Sequence, residues 1–126
     1  MSNTKVKVTF TDIEVINDGD KIGQGEVYWS LKVDGSVLSS RSVANPYKIG
    51  SGGTIQLGNS VTVTKANSAG TNLVVSGSVS EKDSGKDESD SFTHTYWLPD
   101  FGTGSQSVNL ADKKFNVKVN YIIAHV

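Results

Sequence analysis

The sequence predicts an all-β chain: a single antiparallel β-sandwich of eight strands spanning residues 1–126. Three observations carry that expectation. Sixteen Val, ten Thr, seventeen Ser and thirteen Gly make a strand-and-turn composition. Apolar residues alternate with a period of two, and no window of about 11 residues shows the i, i+3, i+4, i+7 stripe of a helix. Turn signals recur at the short, even spacing of sandwich strands.

The elements follow in order. Lys5–Val15 is the first strand, with Val6, Val8 and Phe10 on one face. Apolar parity then passes to Ile13 and Val15, which predicts a bulge near Thr11–Asp12. In Glu26–Val33, Val27, Trp29, Leu31 and Val33 are in phase. Asp34-Gly35 is a hairpin signal, and Val37–Val43 is the returning strand. Ala44–Gly53 carries Asn45-Pro46 and three glycines, so it reads as a loop. Thr54–Thr64 is the fourth strand, kinked at Gly58-Asn59. Asn67–Gly70 is a turn before the fifth strand, Asn72–Ser80. Glu81–Ser91 has no apolar residue and reads as a solvated loop. Phe92–Leu98 is the sixth strand, with Phe92, His94, Tyr96 and Leu98 on one face. Pro99–Ser105 is a loop, Ser107–Leu110 a short seventh strand, and Phe115–Val126 the eighth. The eighth is apolar on both faces at Ile122 and Ile123. That suits a central strand, or an edge strand covered by a second subunit in a homo-oligomer.

Composition excludes several function classes. Twelve Lys+Arg against thirteen Asp+Glu give a net charge of −1, which argues against a nucleic-acid binder. There is no cysteine, hence no disulfide, thiolate metal site or thiol nucleophile. No apolar run approaches the ~20 residues of a membrane span. The N-terminus lacks the apolar core of a signal peptide, so a cytoplasmic compartment is expected by default. His94 and His125 are the only histidines, and no spacing joins either to a nucleophile and an acid, so no enzyme is expected.

The near-zero charge is segregated. Asp12–Glu26 carries −4 and Glu81–Asp90 carries −3, which leaves +6 on the remainder. Strand counting places both acidic segments at one end of the sandwich, because alternate connections share a pole. The top set is Ile16–Gly25, Ala44–Gly53 and Glu81–Ser91. Clustered carboxylates repel unless a cation sits among them, and Ca²⁺ takes six to eight oxygen ligands in flexible geometry. The candidate metal ligands are Asp12, Asp18, Asp20, Asp83, Asp87 and Asp90. The alternative for each is an ordinary solvated charge: Asp12 and Glu14 alternate with Ile13 and Val15 as outward strand residues would, and Glu26, which opens the second strand, is either a ligand or a strand-edge charge.

Ile13–Trp29, with its Asn17-Asp-Gly-Asp20 core, followed by Val33-Asp-Gly35, resembles the first hairpin of C2-like calcium-binding β-sandwiches. The resemblance implies eight strands and three loops at one end, with calcium held by carboxylates of the first and third loops. It also implies docking on a membrane or a protein partner. The third-loop spacing, Asp83-x-x-x-Asp87-x-x-Asp90, departs from the D-x-D core of that family. Tyr47 and Ile49, in the middle top loop, are candidates for insertion into a membrane or partner, or for covering the core. Trp97 and Tyr28 are out of phase with their apolar neighbours. Outward aromatics of that kind stack on sugar rings, so a lectin-like, glycan-binding sandwich is the alternative function.

Overall fold

A computed structural model describes residues 2–19, 23–83, 85–112 and 114–126. The predicted all-β class holds, with nine strands among the described residues where eight were expected. They are β1 (Asn3–Asp18), β2 (Gly25–Val33), β3 (Ser36–Arg41), β4 (Tyr47–Ile49), β5 (Thr54–Ala66), β6 (Asn72–Glu81), β7 (Glu88–Trp97), β8 (Gly104–Asp112) and β9 (Phe115–His125). One antiparallel sheet has the order β5-β1-β9-β8. The other has β3-β2-β6-β7, with β4 also paired to β2. β9 lies between β1 and β8, so it is the expected central strand with both edges paired; Ile123 faces the core and Ile122 faces outward, 40% exposed.

The extra strand arises inside the predicted loop Ala44–Gly53. β3 pairs with Trp29–Val33 of β2, and β4 rejoins the same edge beside Gly25–Val27. Pro46 has no N–H to give the ladder, so the chain leaves the edge around Asn45-Pro46 and returns at Tyr47. The other shift is at Glu81–Ser91, where the connection shrinks to residues 82–87. The flanking strand residues there are polar. At the open mouth of the sandwich even the inward positions carry carboxylates, so no apolar alternation marks the strands.

Parity explains the core. The bulge expected near Thr11–Asp12 appears as a register shift between Phe10 and Asp12. Val6, Val8 and Phe10 before it, and Ile13 and Val15 after it, are all buried. Gly58 (φ 76°) supplies the matching irregularity in β5. From the facing sheet come Val27, Trp29, Leu31 and Val33 of β2, with Leu73, Val75 and Val79 of β6. Trp29 fills the core and donates its indole N–H to Ser39 Oγ at 3.1 Å, so its one polar atom is satisfied. Gly77 is required for close strand approach: a Cβ there would lie 2.5 Å from the Ser30 carbonyl oxygen. Tyr121 is buried under Phe10 and Phe92 and meets the Tyr96 hydroxyl at 2.5 Å.

Candidate metal centre

Register fixes which connections share a pole. Asp18 pairs with Phe115, Gly25 with Ile49, Glu14 with Thr54, and Glu81 with both Val27 and Glu88. The ends of β1, β4 and β6 and the starts of β2, β5, β7 and β9 therefore gather at one end. The connections after β1, β4 and β6 meet there, as strand counting expects.

The side chains converge because of strand parity. In β6 the inward series Leu73, Val75, Gly77, Val79 continues to Glu81, which is completely buried. In β7 the partner of Glu81 is Glu88, on the same inward side as Phe92. A second register shift in β1, between Val15 and Asn17, flips parity again. It turns Asp18 inward opposite Phe115, and Asp18 is only 4% exposed. One carboxylate oxygen from each of Glu81, Asp83 and Glu88 lies within 4.8 Å of the others. Unit charges at that separation repel by roughly 3.5 kcal/mol per pair at an effective dielectric near 20. Such a group of hard oxygens is a donor set suited to Ca²⁺.

The surrounding chain leaves room for these carboxylates. Gly19 has φ 80°, and a Cβ on it would lie 3.3 Å from an oxygen of Glu81 and 3.3 Å from one of Glu88. A Cβ on Gly25 would meet Asp18 Cβ at 2.8 Å. The Asp18 N–H donates to Ser51 Oγ at 3.0 Å, which ties β1 to the connection after β4. Asn17 Oδ1 accepts the Gly19 N–H at 3.0 Å and sets the turn out of β1. The Phe115 N–H donates to Glu88 Oε2 at 3.2 Å, so Glu88 is held from the opposite sheet.

The remaining acidic candidates are placed differently. Asp20 lies outside the described residues. Asp12 is on the outer face of its sheet, where Asn120 Nδ2 donates to Asp12 Oδ1 at 2.6 Å and to Glu14 Oε2 at 2.8 Å. Asp87 closes the 82–87 connection. Its Oδ1 accepts the Asp83 N–H at 3.0 Å and its Oδ2 the Tyr28 hydroxyl at 2.7 Å. The Asp83 amide, then the Tyr28 hydroxyl, hold its carboxyl below the usual value. Burial, reinforced by the Asp87 carboxylate, pushes the Tyr28 hydroxyl up. Asp90 is in β7 rather than a loop. It accepts the Ala111 N–H at 3.1 Å, while Asp112 of β8 accepts the Ser89 N–H at 2.9 Å. This reciprocal pair clips the edges of the two sheets together.

The apolar candidates also separate. Ile49 is 8% exposed and part of the core. Tyr47 is half-buried between the Trp29 ring, 6.3 Å away, and the Arg41 guanidinium, 5.4 Å away. Trp97 faces outward and is 54% exposed. It closes β7 at the opposite end of the fold from Glu88. Ile16, 51% exposed, stands two residues before Asp18. Sequence reasoning misses Glu81 and Glu88 as members of the carboxylate cluster because the polar run assigns them to a loop. The inward parity of Leu73, Val75 and Val79 is the signal that points to Glu81.

A solved structure of a C2 domain superimposes on this chain with a TM-score of 0.57. It covers 96% of this chain and 98% of that one, at 10% identity. The fold is C2-like. A C2 domain of plant extended synaptotagmin 1 has a TM-score of 0.50 and 11% identity, covering 98% of this chain and 95% of that domain. No family model and no curated protein matches the sequence, so the C2 likeness is one of fold. Among the described residues, no helix is long and apolar enough to cross a membrane.

Proposed function

We propose that the chain is a non-enzymatic calcium-binding module that docks on a membrane surface or protein partner through its acidic end. The observation that carries the reading is the convergence of Glu81, Asp83 and Glu88 within 4.8 Å at the mouth of a C2-like sandwich. Asp18, buried at the end of β1 beside Gly25, stands at the same mouth of the sandwich. Asp12, on the outer face of its sheet, and Asp87 and Asp90, which bind chain amides and the Tyr28 hydroxyl, stand outside the converging group of Glu81, Asp83 and Glu88. Ca²⁺ suits the site better than a smaller ion, because loop carboxylates and carbonyls adapt to six to eight ligands. Binding lowers the charge of that end and leaves the exposed Ile16 beside it for contact. Ile49 is excluded from that role by its burial, and Tyr47 by its packing on Trp29 and Arg41.

Thermal melts test the reading. Calcium at about 100 times its dissociation constant adds roughly 2.7 kcal/mol to stability. For a domain of this size the Tm rises by about 10 °C relative to chelator. Glu81→Gln combined with Glu88→Gln abolishes that rise. Superimposable curves with and without calcium would sink the proposal. Co-sedimentation with anionic-lipid vesicles, with calcium and with chelator, then separates membrane docking from protein docking.

A further inference from the structure

The outer face of the second sheet carries an array of hydroxyls in register. Ser40, Ser30, Ser78 and Ser91 form one row across β3, β2, β6 and β7, each paired to the next. Neighbouring strands are spaced by about 4.7–4.9 Å, so the row is about 14 Å long. The adjacent row is Lys32, Ser76 and Thr93. On the other side Tyr28, Ser80 and Ser89 are in register.

Small side chains on adjacent strands leave a depression of about 270 Å³, lined by Ser30, Lys32, Ser76, Ser78, Ser91 and Thr93 among others. Ser80 donates to Ser89 at 2.8 Å, so that pair satisfies itself. Among the described residues, none of the hydroxyls of Ser30, Ser40, Ser76, Ser78, Ser91 and Thr93 bonds to another protein group. Each therefore offers one donor and two acceptor positions to a ligand.

The chemistry of the ligand follows from three features. The depression has a single charged side chain, Lys32, and no carboxylate, so it has little to hold a polyanion. Its rim is a lattice of groups that both donate and accept, which matches a ligand with the same double capacity along its length. Trp97 continues β7 on the same outward parity as Ser91, Thr93 and Thr95, and over half its surface is exposed. It stands four residues beyond Thr93, roughly 13 Å along the strand. An indole face suits the C–H face of a sugar ring, while hydroxyls bind the ring's edge.

We infer that this face binds a neutral, extended oligosaccharide along β6 and β7. Trp97 stacks on one sugar, and Ser30, Ser78, Ser91 and Lys32 hydrogen-bond the units at the other end. The site lies on the face of β6 opposite to Glu81 and is independent of calcium.

The test uses the intact chain and a panel of neutral linear pentasaccharides: β-1,4-glucan, β-1,4-xylan, α-1,4-glucan and chitin. Binding is read by calorimetric titration in chelator at sugar concentrations up to about 1 mM. The expected result is saturable binding of at least one member. It is weakened tenfold or more by Trp97→Ala and by Ser78→Val, with unchanged circular dichroism. Ser78→Val places a strand-favouring residue on an outward position, so it keeps the fold if Trp97→Ala does not. No binding by any member overturns the inference. So does binding that survives both substitutions, or that inorganic phosphate displaces.

Discussion

The two ends of the sandwich arrange their carboxylates differently. At the end where β5 finishes and β6 begins, each acid is committed to a structural partner. Asp34 Oδ1 accepts the Val74 N–H at 3.0 Å and its Oδ2 pairs with Lys65 at 2.5 Å. Asp100 Oδ1 accepts the Gly102 N–H at 2.9 Å. At the other end Glu81, Asp83 and Glu88 crowd toward one point, between glycines that leave them space. Acidic loops are common on surfaces, so composition alone does not separate the two ends. Convergence does, because carboxylate oxygens within 4.8 Å of one another repel, and a cation among them offsets that repulsion.

Substitutions can break that contrast, and the largest effect is expected at Gly25. Ala there would place a Cβ 2.8 Å from Asp18 Cβ and 2.9 Å from the Asp18 carbonyl oxygen. The cost is about 2 kcal/mol, read as a fall in Tm of roughly 8 °C. Gly35, in the hairpin at the opposite end, has open space around it and only its φ of 81° to oppose a side chain. Gly35→Ala should cost about 1 kcal/mol. Equal losses at the two sites would contradict a tightly packed acidic end.

A smaller effect is expected in alkali. Tyr121 is buried against Tyr96, and burial pushes its hydroxyl well above the ordinary value of 10.0. The folded state therefore keeps a proton that the unfolded state releases. Its contribution is fully present below about pH 10 and is lost as pH rises beyond it, by about 1.4 kcal/mol per unit for one such group. Urea titrations between about pH 9 and pH 11 should show that decline, and Tyr121→Phe should flatten it. A decline of the same slope in Tyr121→Phe assigns it elsewhere.

The acid limb runs the other way. Asp87 has its carboxyl held low by the Asp83 amide and the Tyr28 hydroxyl. Its contribution is present above the ordinary value of 3.8 and is lost as pH falls through the folded value. Asp87→Asn should flatten stability against pH below about 4. An unaltered acid limb would remove Asp87 from that role. The smallest effect belongs to the Asp34–Lys65 pair. Lys65→Met should lower stability by less than about 1 kcal/mol and leave any response to calcium intact.

The sheets were legible in the sequence because period-two alternation and turn residues are local signals. The bulge at Thr11–Asp12 could be read from the jump between Phe10 and Ile13. The shared pole of the acidic segments followed from counting connections, and adding β4 does not alter it because β4 continues the course of β3 along β2. The ligand set was less legible. The second register shift, between Val15 and Asn17, has no apolar marker after it, so the inward turn of Asp18 could not be seen. Glu81 looked like the first residue of a loop, although it is the last inward residue of β6. Asp90 looked like a loop acid, yet it is a strand residue whose partner amide on Ala111 comes from the other sheet. Tertiary partners of that kind leave no trace in local pattern.

The central claim is that the converging carboxylates, and not acidity in general, hold a cation. Calorimetric titration of calcium into the chain tests it most directly, with Glu81→Gln/Glu88→Gln and Asp34→Asn/Asp100→Asn run beside it. Each double substitution removes two carboxylates, one pair from each end. Saturable binding to the unaltered chain, loss of binding in the first variant and retention in the second are expected. Absence of binding to the unaltered chain, or equal losses in both variants, would contradict it.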